Sequence, residues 1–186
     1  MAHTIVALLQ NRPGVLHRAV SLLRRRGYNI ESLTVGRSER TGVSRMTLVV
    51  DADDVEQVVK QLYRLVEVLR VSDVTNDPTV EREAALIKID APDGKLPSVI
   101  ALATSYGAKI ADAGRDAIMI EMTGEPDKVD GFLEKLRPFG IRELMRTGRI
   151  AMVRGAPAHS AADASGLPHD DITEPGRWLS QADGII

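Results

Sequence analysis

The sequence predicts an α+β protein of two tandem βαββαβ domains, and three observations predict it. Apolar spacing alternates between strand and helix periods in the order strand, helix, strand, strand, helix, strand, and then does so again. Landmarks recur between the copies, with Gly14 and Gly94 lying 80 positions apart and Asp53 and Asp127 lying 74 apart. Beyond Gly155 neither period is sustained, and Ala, Ser, Asp, Gly and Pro dominate.

Residues 3–10 form a nearly continuous apolar run, as expected of a central strand covered on at least one face. From Val15 to Arg26 the apolar residues Val15, Leu16, Ala19, Val20, Leu22 and Leu23 fall at helical spacing. Arg18, Arg24, Arg25 and Arg26 are left for solvent or the helix end. Gly27 is the expected stop. Residues 28–37 and 43–51 alternate as two strands, with Gly42 closing the hairpin. Asp53 is placed to cap a second helix whose Val55, Val58, Val59, Leu62 and Tyr63 face the sheet, and residues 66–75 supply the fourth strand. Two helices on one face of an antiparallel sheet make a ferredoxin-like domain.

The second copy has a strand at Ala84–Ile89, a turn at Pro92-Asp93-Gly94 and a helix from Leu96 to Tyr106. A hairpin follows at Lys109–Ala113 and Ala117–Met122, then a helix at Asp127–Leu136 and strand character over 141–153. The expected domains are therefore 1–77 and 78–155, joined at Asn76-Asp77-Pro78. Residues 156–186 carry five acids against one base, Arg177, and are expected to be a flexible acidic tail, with Gly176-Arg177-Trp178-Leu179, which holds the sole Trp, as a candidate docking segment within it.

Composition narrows the function classes. The chain is 44% hydrophobic but only 3% aromatic, so Val, Leu, Ile, Ala and Met must fill its core. A net charge of −2 gives no reason to expect nucleic acid or an anionic membrane as partner. The absence of Cys excludes disulfides, thiolate metal sites and cysteine nucleophiles. The first residues lack the pattern of a signal peptide and no run is apolar enough to span a bilayer, so a cytoplasmic location is expected.

No catalytic motif is present: there is no G-x-S-x-G, P-loop, G-x-G-x-x-G or H-E-x-x-H. Asp93-Gly94-Lys95 is followed by Leu96 where a phosphate loop needs a hydroxyl, and His3, His17, His159 and His169 have no metal-ligand spacing. No catalytic residue and no metal site are expected. An RNA-recognition module shares the element order but needs aromatics on its central strands, and Val-Ser-Arg-Met-Thr-Leu-Val-Val at 43–50 has none. A copper chaperone of this fold would need C-x-x-C.

The turn Asn11–Leu16 is the better candidate. Pro13 fixes its backbone and Gly14 allows close approach of a ligand to the main chain. The N–H groups of Gly14, Val15 and Leu16 open a helix and favour an anion such as an amino-acid carboxylate. Asn29 starts the following strand and offers an amide; Leu16 and Ile30 offer apolar walls. The same residues also fit a plain Pro-Gly turn and an ordinary strand start.

A family pattern favours the first reading. Asn11-Arg12-Pro13-Gly14-Val15-Leu16-His17-Arg18 followed by Arg26-Gly27-Tyr28-Asn29-Ile30-Glu31-Ser32-Leu33-Thr34-Val35 resembles the ACT module, a sensor of small molecules. Ser44-Arg45-Met46-Thr47, Gln61–Val68, Val80-Glu81-Arg82-Glu83 and Arg146-Thr147-Gly148-Arg149-Ile150-Ala151 extend the resemblance to the regulatory (small) subunit of acetohydroxyacid synthase, also called acetolactate synthase, over roughly residues 3–155.

The resemblance implies a non-catalytic subunit that binds valine or another branched-chain amino acid at an interface between two ACT domains. It would convey feedback inhibition to a separate catalytic subunit and also activate it. By position, Asn11, Gly14, Val15, Leu16, Asn29 and Ile30 would bind the effector, and Thr34 and Gly36 would affect feedback sensitivity. The second domain has no Asn opposite its turn, Lys109 following Ala108, so no amino-acid site is expected there. The implied partners are the catalytic large subunit and a second copy of this chain. Thiamine diphosphate, Mg and FAD would belong to the catalytic subunit and none to this chain. The alternative is a free-standing amino-acid-binding ACT module that controls another enzyme or a transcription factor.

Overall fold

A computed structural model of the protein describes residues 1–90 and 95–155. The expected turn at Pro92-Asp93-Gly94 and the expected tail at 156–186 lie outside the described residues. The described residues divide into two units, Met1–Val80 together with residues 151–155, and Glu81–Ile150.

The first unit runs β1 (Ala2–Gln10), α1 (Val15–Arg25), β2 (Asn29–Arg37), β3 (Val43–Asp51), α2 (Val55–Tyr63) and β4 (Val68–Asp73). Its sheet has the order β2-β3-β1-β4, with every neighbouring pair antiparallel. The expected βαββαβ order is borne out. Ile5, Ala7 and Leu9 of β1 and Met46, Leu48 and Val50 of β3 are buried against Val15, Ala19 and Leu23 of α1 and Val58 and Leu62 of α2.

Local chemistry explains the boundaries. Gly27 has φ 78°, Tyr28 N–H donates to Leu23 O at 3.2 Å and Gly27 N–H donates to Arg24 O at 3.0 Å. This Schellman pattern ends α1 and turns the half-buried Tyr28 back onto the core. A bulge between Ile30 and Ser32 puts Ile30 and Leu33 on the same, helix-facing side of β2 despite their odd spacing. The cap of α2 is Asp54, not Asp53. Asp54 is the residue in extended conformation, and its Oδ1 accepts from Gln57 N–H at 3.1 Å, the N-cap to N3 geometry. Tyr63 does not bury its ring against the sheet; the ring is half exposed and its hydroxyl donates to Val71 O at 3.2 Å.

The second unit contains most of β5 (Thr79–Asp90), then α3 (Leu96–Tyr106), β6 (Lys109–Ala113), β7 (Ala117–Gly124), α4 (Pro126–Leu136) and β8 (Ile141–Arg146), in the sheet order β6-β7-β5-β8. Ile87, Ile89, Ile118, Ile120 and Met122 form the buried sheet face; Val99, Val129, Phe132 and Leu136 cover it. Arg146 ties this unit together, with one nitrogen on the buried Glu83 of β5 and the other 2.6 Å from Asp130 of α4.

The strand character expected over 141–153 resolves into two strands. β8 stops at Arg146, and β9 (Ile150–Val153) pairs with β5. From Ala151 the chain groups with the first unit, where Ala151 and Val153 pack on Val6 and Val74. Arg154 N–H donates to Pro78 O at 2.7 Å and secures the end of this segment.

The cap assignment predicts unequal effects of two adjacent substitutions. Asp54→Ala should cost about 1 kcal/mol, whereas Asp53→Ala, an exposed position outside the cap, should stay within about 0.5 kcal/mol. Urea unfolding of the two variants checks this.

Candidate functional site

The turn after β1 is built by backbone bonds. Asn11 N–H donates to Gly42 O at 2.8 Å and Arg12 N–H to Gln10 O at 3.0 Å, which fixes the turn against the β2–β3 hairpin. Gly14 is the N-cap of α1 at φ 82°, ψ −13°, in the left-handed region, so a residue without Cβ is required there. No side chain caps α1 and no acid lies in its first turn. The helix therefore presents its positive end with neither usual source of compensation.

The predicted residues differ in what they expose. Asn11, Gly14 and Asn29 are exposed and Ile30 is partly buried against the core. Val15 is 2% exposed and belongs to the core, so only its backbone N–H faces the turn, and that N–H contacts Arg12 O at 3.4 Å. Leu16 is 40% exposed and presents an apolar side chain beside the turn.

Arg18, which the sequence left for solvent, bears on the site. Its guanidinium pairs with Glu67 at 2.6 Å, and its Nη1 would lie 3.2 Å from a Cβ placed on Gly14. A cation is thus held over the turn, one helical turn past Gly14. The spacing i, i+4 from the turn glycine was the available signal.

The structure does not bring Asn29 to this turn within one chain. β1 ends at Gln10 opposite Val43, whereas β2 begins at Asn29 opposite Asp51. Val43 and Asp51 are the two ends of β3, about 27 Å apart at roughly 3.4 Å per residue. The helix end and the amide therefore occupy opposite ends of the sheet. β2 is also an edge strand, with one side of its backbone unpaired by any described strand. Thr34 and Gly36 lie along this edge strand, in register with Thr47 and Arg45. The Thr34 hydroxyl is buried and has no hydrogen-bond partner among the described residues.

In the second unit, an open depression of about 490 Å³ is lined by Asp90, Lys95, Asp116, Pro138, Phe139, Gly140 and Arg142. Its acids and bases balance, Arg142 is paired with Asp90, and no Asn lines it. Among the described residues no His, Asp and Glu cluster has the makings of a metal site, and no helix is long and apolar enough to cross a membrane.

Two family models match the chain. One, described as an AHAS small subunit-like ACT domain, covers residues 5–70; the other, described as the small subunit of acetolactate synthase, covers residues 82–155. A probable acetolactate synthase small subunit of Archaeoglobus fulgidus is 52% identical over 157 residues, spanning 83% of this chain and 98% of that protein. The acetolactate synthase small subunit of Bacillus subtilis is 40% identical over 166 residues, spanning 88% and 96%. The crystal structure of the small subunit from Thermotoga maritima superposes with a TM-score of 0.78 at 39% identity, covering 84% of this chain and 99% of that one.

Two glycines near the candidate site should respond differently to a methyl group. Gly14→Ala forces an L-residue into the left-handed region and should cost about 1–2 kcal/mol. Gly36→Ala meets nothing within 4 Å and has no positive φ, so its stability should change by less than about 0.5 kcal/mol. Denaturant midpoints at constant slope check both.

Proposed function

Since the chain belongs to the family of acetolactate synthase small subunits, we propose that it is the non-catalytic regulatory subunit of such an enzyme. It binds valine or another branched-chain amino acid between two copies of its first unit, conveys feedback inhibition to the catalytic subunit, and activates that subunit in the effector's absence. It works in the cytoplasm, and the thiamine diphosphate, Mg and FAD of the reaction reside on the catalytic subunit. Residues 1–77 form the effector-binding ACT domain and 78–155 the second regulatory domain, whose last residues, from Ala151, pack with the first unit.

The observation that carries this reading is the separation of the two halves of the site along one sheet whose edge strand is unpaired on one side by any described strand. An edge strand pairs readily with a copy of itself. When β2 pairs antiparallel with β2 of a second copy about a twofold axis, the partner strand runs in reverse. Asn29 of the partner subunit then arrives at the Arg37 end of β2, the end at which Asn11 and Gly14 lie. Each dimer closes two equivalent sites in this way.

The chemistry of each site follows. The uncapped N-terminus of α1, with Arg18 over Gly14, receives the ligand carboxylate. The amide of Asn29 of the partner subunit bonds a polar group of the ligand, and Leu16 together with Ile30 of the partner subunit encloses its apolar side chain. A ligand that touches both chains stabilises one arrangement of the dimer over another, and that difference is the coupling free energy available for inhibition.

Mixing this chain with the catalytic subunit and following acetolactate formation tests the reading. Addition of the chain should raise the rate, and valine should then lower it; absence of both effects would overturn the proposal. In calorimetry, a charge-assisted hydrogen bond of roughly 1.5–3 kcal/mol predicts that Asn29→Ala weakens valine binding about tenfold or more. Gly14→Asp should weaken it further by placing a carboxylate where the ligand's must sit. Unchanged affinity in both variants would remove this placement.

A further inference from the structure

The first sheet has two faces, and both are buried at its centre. Helices cover the face of Ile5, Ala7 and Leu9. Strand alternation puts Thr4, Val6 and Leu8 on the other face, opposite Val49, Thr47 and Arg45 of β3. In a two-layer αβ domain that outer face is ordinarily wet, yet Thr4, Val6, Thr47 and Val49 are buried. Part of the cover is the segment that begins at Ala151, since Ala151 and Val153 pack with Val6 and Val74.

One side chain reaches from the sheet to that segment. Arg45 Nη2 donates to Ala151 O at 3.0 Å. Burial pushes the Arg45 guanidinium below its ordinary pKa, against the opposing influence of Glu39, as befits a half-buried charge. Arg45 stands in register with Gly36 of the edge strand, and a Cβ at Gly36 would meet no described residue within 4 Å. The neighbouring strand thus sets no side chain against Arg45 at this register position.

We propose that Ala151–Arg154 is a strap held on the outer face of the first sheet by Arg45, and that Arg45 couples the edge strand β2 to this strap. β2 carries Asn29 and the edge along which two copies would pair. A shift of β2 acts one strand away on Arg45, and through it on Ala151. Ala151 continues directly from Arg146–Ile150, the last residues of the second unit. The path from β2 to the strap is one strand pair and one hydrogen bond. Arg45 is here a positioning residue and touches no effector. Its regulatory role rests on the function proposed above; the strap itself does not.

Two measurements on the full chain test this. The first is hydrogen exchange over residues 150–155 in the parent, Arg45→Met and Arg45→Lys. Met keeps much of the apolar stem and removes the donor, so exchange there should rise about tenfold, as expected for loss of a charged hydrogen bond. Lys should lie between, and β1 and β3 should stay protected in all three. Equal exchange in parent and Met variant, or loss of protection throughout the first sheet, would overturn the strap.

The second measurement is valine calorimetry beside inhibition of the catalytic subunit. Arg45→Met should keep valine affinity within about twofold and lose more than half of the maximal inhibition, with Arg45→Lys restoring part of it. Full inhibition in the Met variant, or a fall in affinity that accounts for the loss, would overturn the coupling role. A parent chain indifferent to valine would refute the proposed effector function, while the exchange result would still decide the strap.

Discussion

Antiparallel pairing imposes the constraint on which the rest of this protein depends. In a sheet ordered β2-β3-β1-β4, both neighbours of β3 run opposite to it and so parallel to each other. The turn that leaves β1 and the residue that begins β2 must then lie at opposite ends. Asn11 and Gly14 occupy one end and Asn29 the other because of the topology, whatever their side chains favour. A ligand needing both finds them only where a second sheet runs the other way, and β2, at the edge, is where such a sheet can join.

The residues of its first turn leave the α1 N-terminus unneutralised. Nothing in the first turn of the helix is acidic, no side chain caps it, and the nearby Arg18 is partly balanced by Glu67. Leaving both cap and acid out costs helix stability. It also leaves backbone donors and a cation facing solvent at the position where an amino-acid carboxylate would be recognised. The outer face of the sheet is treated in the opposite way. Its centre is buried, and the chain returns from the second unit to help bury it, so the unit with the candidate site is completed by residues that follow the other unit in sequence.

Much of the fold was legible because local signals agreed with one another. The apolar run of β1, the 3.6-residue period of α1 and the stop at Gly27 each point to the same boundaries, and the structure places them within a residue or two. Sequence points to Asp53 as the cap of α2, one position early, because the adjacent acids Asp53 and Asp54 are equivalent by composition and only backbone conformation separates them. The return of β9 was hidden for a different reason. Ile150–Val153 is only four residues long, and its packing partners Val6 and Val74 are distant in sequence. At the site, the residue types were readable one by one, but their arrangement was not. Listing Asn29 with Gly14 gives no hint that β3 separates them by its full length; that follows only once the strand directions are traced. Helical spacing leaves Arg18 to solvent because it sorts residues by face and carries no information about Glu67, which pairs with it from beyond the helix.

The central claim, that each effector site takes its helix end from one chain and its amide from another, is tested most directly by complementation. Gly14→Asp and Asn29→Ala chains, each deficient in valine binding, are unfolded together, refolded as a mixture, and the mixed dimer is isolated by distinguishable tags. In that dimer the two defects fall in the same site and leave the other site with an intact turn and an intact amide. The account predicts one valine bound per mixed dimer with parental affinity, against two in the parent dimer. A mixed dimer that binds valine no better than either variant alone would show that both halves of the site come from a single chain and would contradict the account.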